Sequence, residues 1–326
     1  MTGSLKVIST FQFSKTSQEV LREAANAEVF CITNNEEFLS RLWDAEILCS
    51  YSVPENWRAL APNLRWLQVP GAGVDGLQPT GILDADSGVL VTTAVGIHGT
   101  TVGEYVFGSM LMFNRTWPEM VRLQDRHVWP RSANWYKLGG RELEDQTLGI
   151  VGFGAIGRRI AHLGKAFGMR ILATRRTMHE DARDPDVDRF YPRERLQDML
   201  SQSDYVVLAV PLTAETEKLI GEAELRSMRP NTYLVNIARG RVIDEDKLII
   251  ALKEGWIAGA GLDVTREEPL PSDSPLYSMP NVILTPHISG ISIHYDKRLT
   301  ALFADNLWRY RTGEPLLNRY NPELGY

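Results

Sequence analysis

The chain has 326 residues, 44% of them hydrophobic and 23% charged, an ordinary globular composition with length enough for two domains and a sizeable core. A formal net charge of −6 and a pI near 5.6 argue against a nucleic-acid-binding protein, which usually carries a strong basic excess. The only cysteines, Cys31 and Cys49, lie in apolar strand-like runs, "VFCIT" and "ILCSY", so buried thiols in a reducing compartment are expected and a disulfide framework is not. The N-terminal "MTGSLKVISTF" lacks the apolar stretch of a signal peptide, and no apolar run reaches the roughly 18–20 residues of a spanning helix. A cytoplasmic protein with no membrane contact is expected.

Short apolar runs alternate with helical patterns from end to end, which predicts an α/β fold with a mainly parallel sheet. In the first part the predicted strands are "LKVIST" (5–10), "EVFCIT" (28–33), "EILCSY" (46–51), "LRWLQV" (64–69) and "GVLVTT" (88–93), with an amphipathic helix at 17–28. A long apolar helix is predicted from Thr100 to about Asn114, followed by a Trp-rich connection, "HVWPRSANWYKLGGRELEDQ" (127–146). Six further strands follow at 147–152, 170–174, 204–210, 232–238, 257–264 and 281–286. Six strands with interleaved helices match two βαβαβ halves. The final pattern, 292–314, reads as a long amphipathic helix.

"GFGAIG" (152–157) follows the strand-like "TLGIV", and Ile156, Ile160, Leu163 and Phe167 then repeat at helical spacing. A GxGxxG pattern alone also arises in tight strand–helix turns that bind nothing. In this context it predicts dinucleotide binding. Gly152 permits the tight turn, Gly154 lets the backbone approach a pyrophosphate, and Gly157 lets the helix close on the sheet. The helix N-terminus offers N–H groups and its dipole to the phosphates.

One helix later comes "ILATRR" (171–176). NAD-binding units usually place Asp or Glu there to hold the adenosine ribose hydroxyls. This chain has Arg175 and Arg176. A guanidinium matches phosphate geometry and charge, so NADP(H) is the expected cofactor and NAD(H) the alternative. Thr174 and Thr177 are candidate further donors. Solvated surface arginines are the competing reading.

Three stretches at the C-terminal ends of predicted parallel strands carry candidate chemistry: Arg239 in "VNIARGRVIDEDKL" (235–248), Asp263, Glu267 and Glu268 in "GAGLDVTREEPLP" (259–271), and His287 in "VILTPHISG" (282–290). Ligands bind at such ends in open α/β sheets. His162 and His179 have no ligand-spaced partners, and no metal site is expected.

On these motifs the chain resembles the D-isomer-specific 2-hydroxyacid dehydrogenase family over nearly its whole length. "VPLTAETEKLIGEAELRSMRPNTYLVNIARGRVIDEDKL" and the spacing of Arg239, Glu268 and His287 carry the resemblance most specifically. "GAGLDVTREEPLPSDSPLYSMPNVILTPH" is close to the glyoxylate and hydroxypyruvate reductase branch. The resemblance implies two doubly wound parallel-sheet domains. A Rossmann cofactor domain (99–290) is inserted into a flavodoxin-like substrate domain (1–98 and 291–326). It implies an active-site cleft closed by a hinge to exclude water. It also implies a homodimer through the cofactor domain, often with the segment at 117–146.

The implied activity is hydride transfer between NADP(H) and a small 2-keto or D-2-hydroxy acid. Arg239 would bind the substrate carboxylate and polarise the keto oxygen. His287 would be the proton donor. Glu268, the acid immediately before Pro-Leu-Pro, would hold the far imidazole nitrogen and favour the imidazolium, with Glu267 the neighbouring alternative. Backbone N–H groups of Ala72 and Gly73 in "PGAGVD" would also meet the carboxylate. Ala155 and Ile156 join the glycines at the cofactor. Val210, Pro211 and Thr216 would line its adenosine or diphosphate region. Ile237, Ala238 and Asp263 would contact the nicotinamide end, flanked by Ser289 and Gly290.

The chain departs from the family pattern at "TAVG" (Thr93–Gly96), where Asn-x-Pro-Gly is frequent, and at His98, for which a local hydrogen bond is expected. Trp135 and Tyr136 are expected in dimer packing rather than in a partner's substrate pocket. Two other readings stay open. One is oxidation of another small anion: phosphite, or formate, against which the Glu–His pair speaks. The other is a cofactor-sensing corepressor, against which the arginine pair speaks.

Overall fold

The computed structural model describes residues 4–131, 135–176 and 183–326, with the backbone alone at Tyr136 and Lys137. Contacts between residues divide the chain into two units, one running to Ile97 and resuming at Ser292–Tyr326, the other spanning His98–Ile291.

In the first unit, β1 (Leu5–Ser9), β2 (Ala27–Cys31), β3 (Ile47–Cys49), β4 (Trp66–Gln68) and β5 (Leu90–Thr92) form a parallel sheet in the order β2-β1-β3-β4-β5. This is the flavodoxin-like order. Both faces are covered, so neighbouring residues of one strand enter different cores. Val7, Ile47 and Trp66 pack with Leu21, Phe303 and Leu307 on one face. Ile8, Leu48 and Leu67 pack with Phe38, Trp57 and Ile82 on the other.

Helices α1 (Lys15–Ala25), α2 (Asn35–Arg41) and α3 (Trp57–Leu60) and the C-terminal helix Tyr295–Thr312 belong to this unit. The helix predicted at 17–28 ends earlier than expected, because Asn26 turns left-handed at φ 48° and the chain enters β2. Cys49 is buried, whereas Cys31 is only half-buried, since β2 is an edge strand. This corrects the expectation that both thiols are buried.

The second unit holds α4 (Gly99–Asn114), α5 (Trp117–Asp125), α6 (Trp135–Leu138), β6 (Thr147–Val151), α7 (Ala155–Ala166), β7 (Arg170–Thr174), β8 (Arg189–Tyr191), α8 (Leu196–Leu200), β9 (Tyr205–Leu208), α9 (Glu222–Ser227), β10 (Tyr233–Asn236), α10 (Glu245–Glu254), β11 (Gly259–Leu262) and β12 (Val282–Leu284). The strands form one parallel sheet in the order β12-β11-β10-β9-β6-β7-β8. Among the described residues seven strands are present where six were expected. The addition is β8, a three-residue edge strand with one buried side chain, Tyr191, too short for a periodic signal. The chain reverses direction across the sheet between β6 and β9, the position at which open α/β sheets form their ligand crevice.

At that reversal the glycine turn is held by contact. Gly152 has φ 100°, and a Cβ on it would lie 2.6 Å from the Ala209 carbonyl oxygen. A Cβ on Gly157 would lie 2.4 Å from the Gly152 carbonyl oxygen. Phe167 ends α7 as its C-cap and stacks on Phe107 at 4.9 Å. Among the described residues, no helix is long and apolar enough to cross a membrane.

Gly157→Ala forces α7 away from the turn. It is expected to destabilise the protein by about 1–3 kcal/mol, read as a lower urea midpoint at unchanged slope. An unchanged midpoint would show that the turn can yield to a methyl group.

Candidate active site

Arg239, Asp263 and His287 each follow one of three adjacent strands. Asn236 of β10 pairs with Leu262 of β11, which pairs with Leu284 of β12. Neighbouring strands lie about 4.8 Å apart, so these C-terminal ends form one edge.

Asn236, 1% exposed, braces the first turn. Its Nδ2 donates to the Arg239 carbonyl (3.0 Å) and its Oδ1 accepts the Ala238 N–H (3.0 Å). The half-buried Arg239 donates from Nη1 to the Ala238 carbonyl at 2.8 Å. Gly240 lets this turn lie on the next loop, for a Cβ there would stand 1.9 Å from the Thr265 carbonyl. Glu245, 8% exposed, accepts the Arg266 N–H at 2.8 Å and anchors that loop.

The carboxylate against His287 is that of Glu268. Its Oε2 lies 2.8 Å from His287 Nδ1, and its Oε1 accepts the Thr265 N–H at 3.2 Å. Both side chains are partly exposed. His287 Nε2 has no hydrogen-bond partner among the described residues. The His287 backbone is left-handed at φ 56°, a conformation that costs a non-glycine residue about 1–3 kcal/mol and that the surroundings must impose.

Asp263 imposes it. Its carbonyl accepts the His287 N–H at 2.8 Å. Its carboxylate, in a residue 2% exposed, accepts the Thr285 hydroxyl (2.7 Å), the Ile288 N–H (2.9 Å) and the Ser289 N–H (3.0 Å). Sequence reasoning assigned Asp263 to the nicotinamide end. In the structure its oxygens face the turn that carries His287. A buried acid at a strand end was the only available signal for this, and the bracing role of Asn236 and Glu245 left none.

The glycine turn leaves the helix N-terminus that follows it uncapped. Gly154 is the N-cap of the 12-residue α7, has no side chain to cap it, and has no heavy atom within 4 Å of the position a Cβ would take. The first helical residues, Ala155 and Ile156, thus present backbone to an open space. Gly152 N–H donates to Thr174 Oγ1 at 3.3 Å, tying the turn to β7. These residues fit a dinucleotide diphosphate. Beyond β9, Thr216 Oγ1 donates to the Pro211 carbonyl at 2.6 Å and shapes the loop that Val210 begins. Ile237 and Ala238 are buried at 9% and 5%. Ser289 is also buried, and Gly290 lies against the ring of His98.

At the end of β7, Arg175 stands 5.7 Å from the centre of the Phe190 ring, and Arg176 Nη2 lies 3.5 Å from Glu215 Oε1. Thr177, His179 and the Tyr136 side chain lie outside the described residues. His162 pairs with Asp186 at 3.1 Å on the surface. Trp135 is exposed, with its Nε1 donating to the Pro130 carbonyl at 3.2 Å. Among the described residues, no cluster of three potential ligands could hold a metal ion.

Ala72 and Gly73 belong to the first unit, in the turn after β4. The Tyr295 hydroxyl donates to the Pro70 carbonyl at 2.8 Å and lies 3.0 Å from the Tyr51 hydroxyl. Burial, with the Tyr51 contact, holds the Tyr295 hydroxyl well above its ordinary pKa range.

Residues 107–289 match the family described as D-isomer specific 2-hydroxyacid dehydrogenase, NAD binding domain. A glyoxylate reductase of Thermococcus gammatolerans is 39% identical, over 98% of this chain and 96% of its own. Two solved structures share the architecture. One is a D-isomer specific 2-hydroxyacid dehydrogenase from Xanthobacter autotrophicus in complex with NADPH and MES, with a TM-score of 0.84, 28% identity and coverage of 99% of this chain and 100% of that one. The other is an NADPH-dependent glyoxylate/hydroxypyruvate reductase from Sinorhizobium meliloti in complex with NADP and sulfate, with a TM-score of 0.82, 25% identity and the same coverage. The chain belongs to the D-isomer specific 2-hydroxyacid dehydrogenase family. It is an oxidoreductase that transfers hydride with a nicotinamide cofactor.

Asp263→Asn replaces one acceptor oxygen with an NH2 group facing donors. It is expected to lower stability by about 1–3 kcal/mol and to speed hydrogen exchange at the Ile288 and Ser289 amides. Unchanged exchange at both would remove Asp263 as the support of the turn.

Proposed function

We propose that this protein reduces a small 2-keto acid, glyoxylate, hydroxypyruvate or a close analogue, with NADPH. The observation that carries the reading is the 2.8 Å contact of Glu268 with His287, at the same C-terminal end of the sheet as the Arg239 turn. The relatives named glyoxylate reductase, and the neighbour solved with NADP, support the substrate class and the cofactor.

The cofactor, when bound, supplies the hydride. The Arg239 guanidinium holds the substrate carboxylate and polarises the keto oxygen. His287 donates its proton from Nε2 to that oxygen as negative charge develops there. Glu268 holds Nδ1 as the protonated nitrogen and stabilises the imidazolium. The N–H groups of Ala72 and Gly73 are proposed as further anchors of the carboxylate.

Gly152, Gly154, Ala155, Ile156 and Gly157 are proposed to hold the diphosphate, and Val210, Pro211 and Thr216 the adenosine side. Ile237, Ala238, Ser289 and Gly290 would line the nicotinamide end, with Asp263 acting through the turn it organises. Arg175 and Arg176 take the place of the ribose-binding acid and favour a 2′-phosphate. Homodimerisation through the second unit belongs to the same proposal. Its support is α5, which has no buried residue, and the exposed Trp117, Val121, Val128 and Trp129 around it.

Initial rates with NADPH and NADH against a panel of 2-keto acids test the reading, with Arg239→Ala as the comparison. The variant is expected to stay folded and lose kcat/KM by about 2–5 kcal/mol, roughly 30- to 5000-fold. Near-parental kinetics would exclude Arg239 from the site.

Glu268→Gln leaves a neutral partner beside the imidazolium. The variant is expected to lower kcat of keto-acid reduction by about 10- to 100-fold with KM little changed, because the ring that presents Nε2 is no longer held by a charged acceptor. A parental kcat in the variant would break the pairing of these two residues in catalysis.

A further inference from the structure

A third arginine lies beside Arg175 and Arg176 at this end of the sheet. Arg193 follows the edge strand β8, past Pro192. Its Nη1 lies 3.0 Å from Glu215 Oε2, and its Nη2 donates to the Glu215 main-chain carbonyl. The other carboxylate oxygen of Glu215 meets Arg176 at 3.5 Å. One carboxylate thus sits between two guanidiniums, while a third, Arg175, stands over Phe190 of the same edge strand. The side chains of Arg176, Arg193 and Glu215 are 38%, 40% and 52% exposed, within reach of a ligand.

We propose that Arg193 is a third cation of the 2′-phosphate subsite, and that Glu215 is the internal anion that holds the subsite's arginines until the phosphate displaces it. This rests on the NADP(H) reading above.

Topology makes the first part of the case. Glu215 lies beyond β9, which flanks β6 on the side opposite β7 and β8. Its bonds to Arg176 and Arg193 therefore draw the loop after β9 across the C-terminal end of β6, where the glycine turn begins. Charge makes the second. Arg175, Arg176 and Arg193 bring three guanidiniums to the ends of β7 and β8, and a phosphate monoester carries about −1.5 to −2 at neutral pH. Exchange makes the third. Ion pairs this exposed contribute little, whereas a phosphate offers several acceptor oxygens to planar guanidinium forks. NAD(H), lacking the 2′-phosphate, has nothing to exchange for Glu215. The pair therefore acts on discrimination between the cofactors rather than on binding as such.

Calorimetric titration of the full chain with NADP+, NAD+ and 2′-AMP tests this without turnover. Arg193→Ala is expected to weaken NADP+ and 2′-AMP by about 10- to 100-fold, with NAD+ little changed. Glu215→Gln is expected to tighten NADP+ and 2′-AMP at low salt, again with NAD+ little changed. If Arg193→Ala does not fold, Arg193→Gln supplies the same comparison. Equal weakening of NADP+ and NAD+ by Arg193→Ala would make Arg193 a mere anchor of the loop, and weaker NADP+ binding by Glu215→Gln would make Glu215 a support rather than a competitor. Either result overturns the inference while the parent's preference for NADP+ stands. A parent that binds the two cofactors equally overturns the NADP(H) reading itself.

Discussion

The carboxylate of Asp263 is 2% exposed and carries three hydrogen bonds, all of them to the chain between Thr285 and Ser289. A carboxylate out of water is costly unless donors surround it, and here the donors are two backbone amides and a hydroxyl. Satisfying the anion therefore dictates the path of the backbone. That path sets His287 at φ 56°, with Nδ1 against Glu268 and Nε2 directed elsewhere. The position of the proposed proton donor is thus decided by a charge one strand away.

The same dependence on backbone runs through the other turns of this edge. Asn236 uses both ends of its amide to close the Arg239 turn, and Gly240 lets that turn touch the loop leading to Glu268. None of these supports needs to meet a ligand. They hold charged side chains at the ends of rigid strands, where little ordering entropy is left to lose on binding.

The order of the sheet separates two groups of charged residues. β7 and β8 lie on one side of β6 and carry the arginines, while β10, β11 and β12 lie beyond β9 and carry Arg239, Asp263 and His287. The glycine turn at the reversal stands between them. The arginines proposed to meet a 2′-phosphate can then change without moving the residues proposed for substrate binding and proton transfer.

Much of this was legible in the chain. Parallel strands buried on both faces require near-continuous apolar runs, so the strands of both sheets announced themselves, though real ladders stop where the chain turns and the observed strands are shorter than the runs. The glycine turn was readable because only glycine tolerates the backbone at 152 and the contact at 157. Charged residues just past strand ends pointed to Arg239, to His287 and to a carboxylate among Asp263, Glu267 and Glu268, and the family resemblance singled out Glu268. Local pattern alone could not reveal β8, whose three residues bury one side chain. Nor could it reveal the half-exposed Cys31, which depends on which strand ends the sheet. The bonds of Asp263 to the His287 turn and of Glu215 to Arg176 and Arg193 span 22 to 39 residues. The sequence by itself determined the periodicities, the turn and the inventory of charges, because each depends on neighbours in the chain. Only the tertiary structure decided which carboxylate meets which cation or amide, because strand order, not sequence distance, sets those pairs.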